Sequence, residues 1–383
     1  MTEYIPYGRQ SINDADITAV IEVLRSDFLT QGPAIEAFEN EICRVTGARY
    51  AVALSNATAG LHLACMALDV GVGDIVWTSP NTFVASANCA RYCGAGVDFI
   101  DIEPDTGNIS IAALRQKLQL AERENRLPKL LIPVHFSGRS CDMQALSELA
   151  LQYGFSLVED AAHAIGARHQ GVSVGACRYS RATVFSFHPV KIVTTGEGGV
   201  VTTNDEALYR RLLRLRSHGI TRNPAEMTDP PEGAWVYQQL ELGFNYRMTD
   251  IQAALGLSQL QRLSDFIQKR KVLVARYRTA LADCAVQLPR ADADADSAWH
   301  LFVIRVAAER RKAIFDFLRQ NQIGVNVHYM PVYWQPYYIQ LGFGRGLCPQ
   351  SELYYQQAIS LPLYSDLTTD QQDHVIALLQ SIL

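Results

Sequence analysis

Ile17, Val20, Ile21 and Leu24 recur at helical spacing behind Asn13, a residue suited to capping, and predict an amphipathic helix over residues 13–28. The turn Phe28-Leu-Thr-Gln-Gly-Pro33 stops it, and a second helix runs from Ile35 to Thr46 before Gly47. Beyond this, short apolar runs alternate with helical patterns. Strands are predicted at Tyr50–Leu54, Ile75–Thr78, Val97–Ile100, Leu130–Val134, Phe155–Val158, Ala182–Phe187 and Gly199–Thr203. Helices are predicted at Ala59–Leu68, from Pro80 to about Tyr92, and over residues 110–122 and 142–153. This alternation predicts an α/β domain on a mainly parallel seven-stranded sheet. Ligands of such sheets sit beyond the carboxyl ends of the strands. Ser55, Asp160 and Lys191 all follow predicted strand ends.

The C-terminal part has a different rhythm. A basic helix, Ala207–His218, and a Pro/Gly-rich loop lead to a long helix predicted from Thr249 to about Ala282. Ala291–Asp296 reads as an acidic linker or turn. A strand at His300–Val306, a helix at Glu309–Asn321, a strand at Gly324–Val327, an aromatic loop Tyr329–Tyr338 and a final helix over 369–383 suit a small α+β domain. The expected division is a large domain over 13–255 and a small one over 256–383, with residues 1–12 packing near the active site.

Composition narrows the classes. The chain has 383 residues, 48% of them hydrophobic, enough for a large core. A net charge of −5 without a dominant Lys/Arg run argues against nucleic acid as a partner. No apolar run approaches the ~18 residues that a membrane span needs. The first residues lack the apolar core of a signal peptide. Eight cysteines are scattered without a CxxC pair, which points to reduced thiols in the cytoplasm. His135, His163 and His188 show neither His-x-His nor HExxH spacing, so no metal is expected.

The chemistry gathers around Lys191. It lies between the apolar segment Ala182–Phe187 and a cluster of Gly196, Gly198 and Gly199, which reads as room for a flat ligand beside an amine of fixed position. Ser55-Asn-Ala-Thr58 joins a strand to a helix and suits either a plain N-cap or a phosphate cradle. Asp160 ends a strand, and either caps the next turn or keeps a ring nitrogen protonated. An amine, a carboxylate and a phosphate turn are together the parts that pyridoxal phosphate needs.

The segments Ser55–Leu61, Glu159–Gly166, Ser186–Lys191, Gly196–Gly199, Arg216–Gly219, Gly243–Arg247 and Val327–Tyr333 resemble, in order, those of the DegT/DnrJ/EryC1/StrS sugar aminotransferases, pyridoxal-phosphate enzymes of fold type I. The resemblance implies that Lys191 bonds to the cofactor and Asp160 pairs with its ring nitrogen. It implies that Phe83 stacks on the ring, that His163 lies beside the ring hydroxyl, and that Ala57, Thr58 and Ser186 hold the phosphate. It places Asn245 at the phosphate of a neighbouring subunit, so a homodimer is expected. Tyr7, Leu29, Thr30, Gln31, Gly32, His328 and Tyr329 match regions that touch substrate. Among family members, the likeness is greatest to those that use L-glutamate, releasing 2-oxoglutarate, to aminate a UDP-linked 4-keto sugar for pseudaminic acid synthesis. His188 carries no expected role.

Overall fold

A computed structural model describes residues 4–292 and 296–383. Three of the positions expected in the acidic turn, 293–295, lie outside the described residues, as do residues 1–3 of the N-terminal segment.

The central sheet has the strands β1 (Tyr50–Leu54), β2 (Ile75–Thr78), β3 (Gly96–Phe99), β4 (Leu130–Ile132), β5 (Ser156–Asp160), β6 (Ala182–Ser186) and β7 (Gly199–Thr203). Their order is β1-β7-β6-β5-β4-β2-β3. β7 runs antiparallel to both β1 and β6, and the other pairings are parallel. The fold is α/β with a mainly parallel seven-stranded sheet, as the alternation predicts.

The strands read as near-continuous apolar runs because both faces of the sheet are covered. Alternation sends Val52 and Leu54 of β1 to one face and Ala51 and Ala53 to the other. The first face is closed by α3 (Ala57–Ala67), α4 (Ala85–Tyr92) and α7 (Glu206–Arg216). The second packs on α2 (Pro33–Thr46), α5 (Ile111–Arg123), α6 (Met143–Tyr153), α8 (Asp250–Leu260) and α9 (Leu263–Ala280). The same alternation separates two neighbouring acids on β5. Asp160 opens toward the carboxyl ends of the strands, while Glu159 turns away to Ser180, Thr183 and His135. His135 is thereby a core residue, paired to Glu159 at 2.7 Å.

Two predicted elements differ. The long helix breaks at Gln261–Arg262 into α8 and α9, with no Gly or Pro at the break. Gln259 Nε2 donates to Asp16 at 2.7 Å and the Arg262 guanidinium pairs with the same carboxylate, so the break is fixed by a tertiary contact. The expected boundary at 255/256 falls inside α8. Gly324–Val327 forms no strand of its own. The C-terminal sheet instead pairs Phe302–Arg305 with Ala358–Leu361, antiparallel, and Asn326 meets Ser360 in a single bridge.

The first helix, α1 (Asp14–Leu24), has the expected Asn13 cap, completed by Asp16 as a capping box. Its apolar stripe is not buried, however. Ile17 and Leu24 are about half exposed, and Phe28 and Leu29 continue the patch. The helix packs on α8 through Asp16, whose carboxylate also accepts from Ser258 Oγ at 2.7 Å.

Within the glycine cluster, Gly199 serves backbone approach. A Cβ at Gly199 would stand 2.4 Å from the Asn56 carbonyl carbon and 2.5 Å from the Ala57 nitrogen. β7 therefore abuts the first turn of α3 only because position 199 has no side chain. Gly199→Ala is expected to lower unfolding stability by roughly 3 kcal/mol, the upper end of overpacking penalties. A shift of the urea midpoint measures it, and a loss under about 1 kcal/mol would contradict the close approach.

Candidate active site

The carboxyl ends of β1, β5 and β6 open into a cavity of about 930 Å³. Tyr7, Ala57, Thr58, Phe83, Asp160, His163, Ser186, Lys191, His328 and Tyr329 all line it. Asn245 does not. It is exposed and bridges through its backbone to Ser217. Leu29, Thr30, Gln31 and Gly32 do not line the cavity of their own chain either. Their turn is tied to the start of α8, where Asp250 accepts from the Gly32 N–H at 2.8 Å and the Ala34 N–H at 3.0 Å.

Lys191 follows β6 through a tight turn, its N–H donating to the His188 carbonyl at 2.8 Å. Burial pushes its amine down to about 8, while the charge of Asp160 pulls the other way. Asp160 is 5% exposed, and its carboxylate is fixed by two donors. Ser86 Oγ donates to Oδ2 at 2.6 Å and the Ala162 N–H to Oδ1 at 3.0 Å. Ser86 sits on α4, one turn after Phe83, whose ring is 61% exposed and forms part of the cavity wall.

The opposite wall is the first turn of α3. Asn56 caps it by accepting from the Ala59 N–H at 2.8 Å. Among the described residues, the Ala57 and Thr58 N–H groups have no acceptor. Free N–H groups at the positive end of a helix, beside the hydroxyls of Thr58 and Ser186, form an anion cradle. The cap and the cradle, alternatives on sequence, coexist.

Three histidines line the cavity. His163 accepts from the Ser137 N–H through Nδ1 and meets the Tyr329 hydroxyl through Nε2, both at 3.2 Å. His328 is bonded to Ser360 Oγ at 2.7 Å and to Asn326 at 3.4 Å. Burial, then the charge of Lys191, holds His163 well below the ordinary range and pushes His328 down to about 3. The third, His188, is exposed and stands between Ser186 and Lys191. Sequence reasoning missed Ser86, Asn81 and Ser137, which touch the site's residues. The one available signal was the three-residue step from Phe83 to Ser86 on a helix face.

An amine of lowered basicity, a fixed carboxylate, an anion cradle and an exposed aromatic ring around one cavity define the site of a pyridoxal-phosphate enzyme. The chain belongs to the DegT/DnrJ/EryC1/StrS aminotransferase family, which it matches over residues 10–380. It is 37% identical to the Bacillus subtilis spore coat polysaccharide biosynthesis protein SpsC, over 99% of this chain and 97% of that one. Among solved structures it is similar to Helicobacter pylori PseC, an aminotransferase involved in the biosynthesis of pseudoaminic acid. That match has a TM-score of 0.90 and 29% identity, and it covers 99% of both chains. The PMP form of the putative sugar aminotransferase Spr1654 from Streptococcus pneumoniae matches with a TM-score of 0.89 and 30% identity, over 99% of this chain and 98% of that one.

In cofactor-free protein, Lys191 is expected to titrate near pH 8 instead of the ordinary 10.5. Asp160→Asn removes the charge that raises this value and moves it lower still. Acetylation of Lys191 followed by peptide mass spectrometry across pH measures the midpoint, and a wild-type midpoint near 10.5 would contradict the burial.

Proposed function

We propose that this sugar aminotransferase moves the amino group of L-glutamate to C4 of a UDP-linked 4-keto-6-deoxy-N-acetylhexosamine, giving a UDP-4-amino-4,6-dideoxy sugar of pseudaminic acid synthesis. The observation that carries the chemistry is Lys191 and Asp160 sharing one cavity with the open turn of α3. The likeness to PseC along the whole chain supports the sugar. The likeness to SpsC, a protein of spore coat polysaccharide synthesis, favours a second reading in which another nucleotide keto sugar is the acceptor.

Pyridoxal phosphate is the cofactor, and when bound it supplies an electron sink for carbanion chemistry at an amine-bearing carbon. The residues present fit it. Ala57, Thr58 and Ser186 would hold the phosphate, Phe83 the ring face and Asp160 the ring nitrogen. Ser86 and Ala162 keep the Asp160 carboxylate oriented, so its charge stays where a protonated nitrogen needs it. With its basicity lowered to about 8, the Lys191 amine is partly unprotonated near neutral pH. It can therefore take a proton from a donor carbon and return it to an acceptor carbon.

The working unit in this reading is a homodimer in which Asn245 and the turn Leu29–Gly32 serve the neighbour's cavity. Their exposure, their absence from the lining of their own cavity and the uncovered stripe of α1 support it. The two-part division is retained, with its joint at Gln261–Arg262. Eight unpaired cysteines support a cytoplasmic setting.

Incubation with glutamate and a panel of UDP- and dTDP-4-keto sugars, with detection of 2-oxoglutarate and amino sugar, tests the proposal. The UDP-linked N-acetylhexosamine is expected to be the best acceptor, aminated at C4 by NMR of the product. A dTDP sugar turned over faster, or amination at C3, would sink the substrate reading. Lys191→Ala is expected to lose at least roughly 10³-fold in turnover.

A further inference from the structure

Ser137, His163 and Tyr329 form a hydrogen-bonded line whose direction is fixed by which groups can donate. The Ser137 N–H donates to Nδ1 of His163, so Nδ1 carries no proton. Burial, with Lys191 and His328 adding to it, keeps the imidazole neutral. Its single proton is therefore on Nε2, which donates to the Tyr329 oxygen 3.2 Å away. The hydroxyl hydrogen of Tyr329 cannot point back along this line. Burial also raises the phenol above its ordinary range, so the hydrogen is retained.

Both ends of the line are anchored. Ser137 has a left-handed backbone, φ 62°. Its Oγ donates to the Leu301 carbonyl at 2.6 Å, and its own carbonyl accepts from the His300 N–H at 2.9 Å. The Tyr329 N–H donates to Asn81 Oδ1 at 3.0 Å, and Asn81 Nδ2 is held by the Gly107 carbonyl at 3.1 Å. The titratable groups around the pair are Tyr7, Asp160, Lys191 and His328, with the His300 ring centre 4.4 Å from that of His163.

We propose that Tyr329 is a fixed hydrogen-bond donor to a negatively charged oxygen bound in the cavity, and that His163 is the positioning residue that turns the hydroxyl toward it. The proposal rests on the reading of the cavity as a pyridoxal phosphate site. The oxygen belongs either to the cofactor ring or to the carbonyl of the keto sugar. The former carries negative charge, and the latter gains it as nitrogen attacks. A donor aimed in advance at such an oxygen needs no reorganisation when the charge arrives.

Substitutions separate this from mere packing. Phenylalanine at 329 keeps the ring and removes the donor. Glutamine at 163 can do both jobs of the neutral imidazole, accepting from Ser137 through its oxygen and donating to Tyr329 through its NH₂. Alanine can do neither.

The test is the pH titration of the cofactor's visible absorbance in loaded protein without substrate, together with separate donor and sugar half-reactions. If the ring oxygen is served, Tyr329→Phe leaves more charge on it and the adjacent nitrogen holds its proton more tightly. The midpoint then rises by about one pH unit, the size of a charge-assisted hydrogen bond. His163→Ala moves it the same way, and His163→Gln restores the wild-type midpoint. If the sugar oxygen is served, the spectrum stays put and only the sugar half-reaction slows, by roughly ten-fold or more in both Tyr329→Phe and His163→Ala. Coloured variants with unchanged spectra and unchanged sugar half-reactions would overturn the proposal alone. A wild-type chain that takes up no cofactor would overturn the cofactor reading, and this proposal with it.

Discussion

The Asp160 carboxylate is nearly buried at the end of a central strand, shares a cavity with the Lys191 amine and is pinned by a serine hydroxyl and a backbone N–H. A charge so far from water is tolerated only where donors and an opposite charge meet it. Much of the surrounding architecture can be understood as supplying them. Alternation along β5 aims Asp160 into the cavity and sends Glu159 to the opposite side. The turn after β6 brings Lys191 within range, and α4 contributes Ser86. Because the amine is buried as well, its basicity falls into the range where it can both accept and return a proton.

A second constraint is steric. The first turn of α3, with its free N–H groups, lies against β7, and Gly199 makes that contact possible. Gly199 thus acts at the free N–H groups of α3. The sequence pattern suggested space for a ligand across the cluster, and at Gly199 the structure shows close backbone approach.

The sheet was legible because its strands are short, apolar and separated by strong turn residues. All seven lie where alternation placed them, with edges moved by a residue or two. What was not legible depends on contacts between distant segments. Nothing local marks the break at Gln261–Arg262, which Asp16 imposes from α1. Ala358–Leu361 follows the helix Pro349–Gln357 with no turn residue between them, so the second C-terminal strand is hidden behind a helix. Lys191, Asp160 and the turn at 55–58 could be found because each follows a strand end. Ser137 and Asn81 could not, because they act through a backbone N–H and a side-chain amide that only the tertiary fold brings to His163 and Tyr329. The apolar stripe of α1 was legible as a pattern, but its exposure was not.

In the proposed reading, Lys191 is the amine that bonds the cofactor. Borohydride reduction of the protein loaded with pyridoxal phosphate, followed by peptide mass spectrometry, tests it most directly. A stable phosphopyridoxyl adduct on Lys191 is the expected result. An adduct on another lysine, or none on a protein that has bound the cofactor, would contradict it.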